Sequence, residues 1–156
     1  MHTFFEYNWQ VRDEWFTWCN QLTTEELLKD RIGGVGGILY TLFHVIDVEQ
    51  SWLRAIAGKE DLVVRFAEYD TLEGIRFLSD TNRKEIKEFL PKILAESSNP
   101  FVTVDWDKEN YRKNDILHHV IAHEIHHIGQ LSVWAREVEM KPISAGFLGR
   151  DFTSMK

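Results

Sequence analysis

Apolar side chains recur at three- and four-residue steps along four long stretches of the chain, which is the spacing of a helix with a buried face. The predicted helices run over four segments: Thr3 to Leu22, about Val35 to Ala57, Leu72 to about Leu94, and Ile116 to about Glu139. Four such helices predict an all-α fold, a four-helix bundle. Long connections before the third and fourth helices, each of about a dozen residues, allow a neighbour order other than simple up-down-up-down.

Local signals indicate where these helices begin and bend. Asp70 or Thr71 is expected to cap the third helix, and Asn114 or Asp115 the fourth. Pro91 lies inside the third pattern, where proline is expected to kink the helix or to begin a new turn.

Two shorter elements are predicted between the long helices. Thr23 and Glu26 have the spacing of a capping box, which opens a helical turn through Lys29. The segment Phe101–Trp106 has the alternation of a short extended strand. No repeat, low-complexity tract or linker interrupts the sequence, so residues 1–156 are expected to form one domain.

The second predicted helix is apolar almost all round, which predicts burial on more than one side. It follows the Gly-rich segment Gly33–Gly37. No Gly-Lys-Ser/Thr follows these glycines and no strand pattern precedes them, so neither a P-loop nor a dinucleotide site is predicted. We expect a tight entry into the helix instead, where the backbone approaches its neighbours closely.

Composition narrows the classes of function. The net charge is −7 and the basic residues form no stripe, which disfavours nucleic acids and anionic membranes as partners. Cys19 is the only cysteine, so no disulfide within the chain is possible, and it is expected to be a small core residue. We see neither a signal peptide nor an apolar run of the ~20 residues that a membrane span needs, and expect a cytoplasmic protein.

Histidines are concentrated in the fourth predicted helix. Five of the seven lie between residues 118 and 130. Residues four apart lie on one helical face, so His119, His123 and His127 form a ladder. Two imidazoles at this spacing can bind one divalent ion, and the pair His123 and His127 is placed best. His119 and His126 are secondary candidates for ligands, and His118 points away. The alternative to a metal site is a structural or pH-sensing cluster of histidines.

His44 lies in the middle of the second helix among apolar residues. A buried histidine needs a polar partner, and a metal shared with His123 and His127 would supply one. Asp47 is one turn further along, where its carboxylate would either orient a metal ligand or remain an ordinary exposed helix charge.

The fourth helix carries a second apolar stripe opposite the histidines: Leu117, Ile121, Ile125, Ile128 and Ala135. A stripe of this kind needs a cover. We expect a second copy of the protein, hence a homodimer, and the alternative is another helix of the same chain.

Three motifs together resemble the DinB/YfiT-like family of metal-dependent enzymes. They are Tyr7-Asn8 with Glu14, Leu42-Phe43-His44-Val45 with Trp52, and the run His119-x-x-x-His123-Glu124-x-His126-His127-x-Gly129-Gln130. The resemblance extends over nearly the whole chain. One position departs from the family pattern, because Ile128 stands where the family often has Arg.

The resemblance implies a four-helix bundle, often dimeric, with a divalent metal held by three histidines. Carried onto this sequence, those ligands are His44, His123 and His127. Characterised relatives of this kind are thiol-dependent transferases and isomerases, which implies a small-molecule substrate and a low-molecular-weight thiol.

Three functions remain open from the sequence. The first is an enzyme using zinc or nickel, both suited to imidazole, for thiol transfer or hydrolysis. The second is a zincin-like peptidase, because residues 123–127 fit H-E-x-x-H with Glu124 as the base, although no suitable third ligand follows downstream. The third is a non-catalytic, metal-stabilised dimer that binds a small molecule or a protein. Glu124 and Asp47 are the candidate catalytic residues.

Overall fold

The computed structural model describes residues 1–104, 106–107 and 109–152. Helices account for most of this part of the chain, which confirms the predicted all-α four-helix bundle. The elements are α1 (His2–Cys19), α2 (Thr24–Leu28), α3 (Ile38–Ile56), a 3-10 turn (Phe66–Glu68), α4 (Leu72–Ala95), β1 (Phe101–Thr103), β2 (Asn110–Arg112) and α5 (Lys113–Glu137). The single domain over 1–156 stays a prediction, because residues 105, 108 and 153–156 lie outside the described residues.

The four long helices do not pack in the order of the sequence. Helix α3 packs against α4 and α5, and α1 packs against the same two helices. Of the consecutive long helices, α3 and α4 are therefore neighbours, whereas α1 lies across the bundle from α3, and α4 lies across it from α5. This arrangement brings the middle of α3 beside the histidine-rich part of α5.

A layer of buried polar side chains separates two apolar clusters in the core. One cluster contains Trp15 and Leu42, and the other contains Phe5 and Leu53. Each long helix contributes to both clusters and places at least one buried polar residue in the layer: Arg12, Glu49, Gln50, Ser79, Asn82 and Glu124. Because buried polar groups need partners, this layer restricts how the four helices can align.

Helix α3 is buried on more than one side, as its apolar sequence predicts. Its buried residues face both neighbouring helices, and they include Leu39, Leu42, Val45 and Ile46. His44 on the same helix is only half-buried. In the described part of the chain, no helix combines the length and the apolar character needed to cross a membrane.

The ends of the helices match the sequence signals in part. Thr23 accepts a hydrogen bond from the backbone N–H of Glu26, which confirms the helical turn there, and Thr71 caps α4. Helix α4 continues past Pro91 to Ala95, so the proline does not begin a separate helix. Several helix ends differ from the predictions by one to three residues, as is usual for element boundaries.

The predicted cap of α5 at Asn114 or Asp115 is wrong. The helix already begins at Lys113. Its first turn is capped from a distance, because the backbone N–H of Asn114 donates to Oδ1 of Asn99 at 2.9 Å. A partner 15 residues away in the sequence satisfies a group that a local cap would otherwise satisfy.

The predicted extended segment 101–106 forms a shorter strand. Only Phe101–Thr103 pairs, antiparallel to Asn110–Arg112, with Val102 opposite Tyr111. Asp105, within the predicted segment, lies outside the described residues. The small hairpin leads directly into α5 and packs against its first turns.

The apolar stripe opposite the histidines is covered mainly within the chain. Leu117, Ile121 and Ile128 join the two core clusters, and Ala135 is fully buried beside them. Ile125 alone of the stripe is exposed, at 41%. The expectation that this stripe needs a second copy as cover is therefore wrong, because neighbouring helices of the same chain bury it. The homodimer stays a prediction without this argument.

Candidate metal centre

Three histidines meet where α3 lies against α5. The candidate ligand atoms of His44, His123 and His127 all lie within 4.8 Å of one another. Nε2 of His123 is 3.1 Å from Nε2 of His44. The ring centroids of His123 and His127 are 4.5 Å apart, and those of His44 and His127 are 4.9 Å apart. This spacing is compatible with one shared ion, and metal binding itself stays a prediction.

Two levels of structure produce this grouping. His123 and His127 are one turn apart on α5, so the helix alone aligns them. His44 is 79 residues from His123 in the sequence and arrives only because α3 packs against α5. The structure thus brings together the three residues named from the sequence.

A glutamine orients one of the three imidazoles. Nδ1 of His127 lies 2.7 Å from Oε1 of Gln130, and an amide oxygen only accepts hydrogen bonds. Nδ1 of His127 therefore carries the proton, and its Nε2 keeps a free lone pair. The amide nitrogen of Gln130 lies 3.4 Å from Nε2 of His126, to which it donates. This function of Gln130 is absent from the sequence predictions; its position three residues after a candidate ligand was the available signal.

Electrostatics hold the three imidazoles neutral. Burial, followed by the nearby rings of His127 and His44, lowers the pKa of His123 to about 3. Burial also lowers the pKa of His44, with His127 as the second cause. The pKa of His127 is lowered, again mainly by burial. Neutral imidazole is the form that binds a metal, so the donor set suits a divalent ion.

The other histidines of α5 remain outside the group of three. His119 is exposed, with its ring centroid 5.5 Å from that of His123. His126 is also exposed, with its ring centroid 5.1 Å from that of His127 and its Nε2 3.4 Å from the amide nitrogen of Gln130. His118 is exposed, in agreement with its predicted direction away from the ladder.

Glu124 points away from the histidines into the polar layer. The residue is 2% exposed, and its carboxylate accepts two hydrogen bonds from Arg12, at 2.8 Å from Nε and 2.6 Å from Nη2. Arg12 also donates through Nη1 to Glu49, whose other oxygen accepts from the indole N–H of Trp9. A carboxylate engaged in this way does not face a metal-bound substrate, so the geometry gives no support to Glu124 as a general base.

Asp47 is half-buried and lies beside Asp61 rather than beside the histidines. Burial, and then the charge of Asp61, raise the pKa of the Asp47 carboxyl. Both residues line a cavity of about 240 Å³ together with Ser51 and Trp52. In the part of the chain that the structure describes, Asp47 makes no hydrogen bond to a histidine. Its expected function in orienting a ligand stays a prediction.

A second cavity of about 240 Å³ lies along α5, and its lining reaches His119, whose ring centroid is 5.5 Å from that of His123. Its lining includes Trp52, Tyr111, Asp115 and His119. The ring of Trp52 meets those of Tyr111 and His119 edge to face, at centroid distances of 5.4 and 5.7 Å. The cavity therefore has largely aromatic walls, and His119 connects it to His123.

Comparison with known proteins identifies the family. The sequence matches the DinB family over residues 1–152. It is also 62% identical over 151 residues to the uncharacterized protein YizA of Bacillus subtilis (strain 168), an alignment that covers 96% of this chain and 95% of that protein. The helical bundle and the histidine motifs agree with this match, and the chain belongs to the DinB family.

Proposed function

We propose that this DinB protein binds one divalent metal ion through His44, His123 and His127. The observation that carries the proposal is the convergence of three imidazole donors, from two helices, within 4.8 Å. Their lowered pKa values keep them neutral, which favours binding of a cation. Zinc or nickel suits this donor set, because both bind imidazole nitrogen well.

We propose further that the metal-bound protein is an enzyme acting on a small molecule, either a thiol-dependent transferase or a hydrolase. Three neutral ligands leave a bound ion its full charge and an open position, at which it would lower the pKa of water or of a thiol. The remaining requirement is a place for the substrate.

The candidate place is the aromatic cavity that reaches His119, whose ring centroid lies 5.5 Å from that of His123. Trp52 and Tyr111 present ring faces and edges that suit the apolar part of a ligand. Asp115 adds a carboxylate to the lining, and His119 adds an imidazole on the side nearest His123. A cavity of about 240 Å³ fits a small molecule better than an extended peptide.

The structure bears differently on the two alternative functions, a peptidase and a non-catalytic dimer. A zincin-like peptidase is disfavoured, since the glutamate of H-E-x-x-H is buried against Arg12. A non-catalytic, metal-stabilised dimer is compatible with the same three histidines, although no described contact favours it. The homodimer, the cytoplasmic location and the absence of nucleic-acid and membrane partners remain predictions.

Elemental analysis of untagged protein tests the metal site. We expect close to one zinc or nickel ion per chain, or uptake of one ion after chelation and titration. Protein that neither contains nor takes up a divalent ion would overturn the proposal.

Activity assays test the enzyme. The metal-loaded protein is given a low-molecular-weight thiol with an aryl halide, and separately an activated ester, with His123→Ala as the control. We expect turnover in one assay that the control and chelation both abolish. Equal background rates in all samples would favour the non-catalytic alternative.

A further inference from the structure

The Gly-rich segment 33–37 lies against α5 at the candidate metal centre. A Cβ atom built on Gly34 would lie 2.3 Å from Oε1 and 2.6 Å from Cδ of Gln130, far inside van der Waals contact. Gly33 and Gly36 differ, because a Cβ on either would meet nothing within 4 Å. The backbone at residue 34 is therefore in direct contact with the amide of Gln130, and only glycine leaves room for it.

This part of the loop is held in place by contacts on both sides of Gly34. The indole N–H of Trp134, one turn beyond Gln130 on α5, donates to the carbonyl of Ile32 at 3.2 Å. The backbone N–H of Arg31 donates to the carbonyl of Gly36 at 2.6 Å. The loop is thus closed on itself and tied to α5, so Gly34 forms a firm support for the side chain that it touches.

The orientation of this amide sets the tautomer of His127. Its oxygen accepts from Nδ1 of His127, and its nitrogen donates to Nε2 of His126. With the amide reversed, its nitrogen would face Nδ1 of His127 and would require the proton on Nε2, which would leave no lone pair on Nε2 for a metal. Because the amide keeps the proton of His127 on Nδ1, Nε2 keeps a free lone pair for an ion shared with His44 and His123.

We propose that Gly34 and Gln130 are positioning residues for His127: the Gly34 backbone seats the Gln130 amide, and the amide fixes the tautomer and ring orientation of His127. The inference rests on the proposed metal site and extends it to the loop before α3. It gives the glycine at position 34 a function beyond tight entry into that helix.

The substitution Gly34→Ala tests the proposal, with Gly33→Ala as its matched control. Both glycines have positive φ, +53° and +91°, so both changes impose backbone strain, but only the first collides with Gln130. The colliding atoms are the far end of a flexible side chain, so the amide moves while the fold remains. We expect Gly34→Ala to weaken Zn²⁺ affinity at least about tenfold, measured against a competing chelator, with Gly33→Ala within about twofold of the parent.

Substitutions of Gln130 separate positioning from packing. Gln130→Ala should weaken Zn²⁺ binding as much as Gly34→Ala does, and the double variant should show little further loss, because both remove the same contact. Gln130→Glu keeps an acceptor for Nδ1 and should restore most of the affinity. The visible absorption of bound Co²⁺ should change in the first two variants and return in the third.

A second measurement does not require metal. Nitrogen NMR of the imidazoles in metal-free protein should show the Nδ1–H tautomer of His127 in the parent and in Gly33→Ala, and a mixture in Gly34→Ala and Gln130→Ala. Identical tautomers in all four proteins would overturn the positioning proposal. So would equal Zn²⁺ affinities of Gly34→Ala and Gly33→Ala. A parent that binds no metal but shows the tautomer shift would overturn the metal site and keep the positioning.

Discussion

His123 and Glu124 are neighbours in the sequence, yet they face opposite environments. His123 is half-buried and faces two other imidazoles. Glu124 is buried in the polar layer, where Arg12 binds both of its oxygens. Consecutive residues of a helix point about 100° apart, so a step of one residue along α5 leads from the histidine group to the polar layer. The histidines of the H-E-x-x-H motif therefore belong to the candidate metal centre, whereas its glutamate belongs to the buried polar layer.

The two regions also differ in how their polar groups are satisfied. In the polar layer, burial lowers the pKa of Arg12, but the charges of Glu124 and Glu49 outweigh burial and raise it, so the guanidinium is firmly charged. In the histidine group, no carboxylate among the described residues offsets burial, and the pKa values of His44 and His123 fall. A satisfied buried network contributes to the structure, whereas converging free lone pairs indicate a binding site.

The largest expected effect is on the histidine side. His44→Ala should abolish tight Zn²⁺ binding, because it removes one of three ligands and leaves two on a single helix. Added Zn²⁺ at 100 times its Kd should raise the free energy of unfolding of the parent by about 2.7 kcal/mol, and that of the variant hardly at all. If His44→Ala binds Zn²⁺ as tightly as the parent, α3 does not contribute to the site.

In the buried polar layer, Arg12→Met should give the largest loss of stability. It leaves Glu49 and Glu124 buried without a cation, which costs about 3–5 kcal/mol of unfolding free energy. Lys29→Met is the control, because Lys29 is 59% exposed and its pair with Glu26 is worth less than about 1 kcal/mol. Urea denaturation monitored by tryptophan fluorescence measures both. Equal losses would mean that the polar layer is not a stabilising network.

Glu124→Gln should reduce stability by an intermediate amount without changing metal binding, which separates the polar layer from the histidine group. The amide keeps the shape but turns one acceptor into a donor facing Arg12, which costs about 1–3 kcal/mol. The metal content should remain that of the parent, since the side chain points away from the histidines. Peptidase activity should be absent in both proteins. A parent with peptidase activity that this change abolishes would restore the zincin interpretation.

The smallest effects are expected at the outer histidines. His119→Ala and His126→Ala change groups next to the ligands and should weaken Zn²⁺ binding no more than about tenfold. His118→Ala should leave affinity unchanged, because its side chain is exposed and directed elsewhere. Competition with a chelator ranks the three. A large loss for His119→Ala would bring that residue into the ligand set.

Much of the candidate site could be predicted from the sequence because its main determinant is local. The pairing of His123 with His127 depends only on the turn of one helix. His44 was inferred from a general cost, since a histidine among Leu, Phe, Val and Ile needs a polar partner. The four long helices followed from apolar periodicity in the same way, to within a few residues at their ends.

The tertiary structure decided everything that joins distant segments. Arg12 meets Glu124 across 112 residues, and Gly34 meets Gln130 across the whole middle of the chain. The burial of Leu117 by other helices and the capping of α5 by Asn99 likewise depend on segments that are distant in the sequence. Periodicity shows which face of a helix is buried but not which neighbour buries it. The choice of neighbour depends on the exposed apolar surface and the unpaired polar groups of all the helices together. It therefore cannot be predicted from any single segment of the sequence.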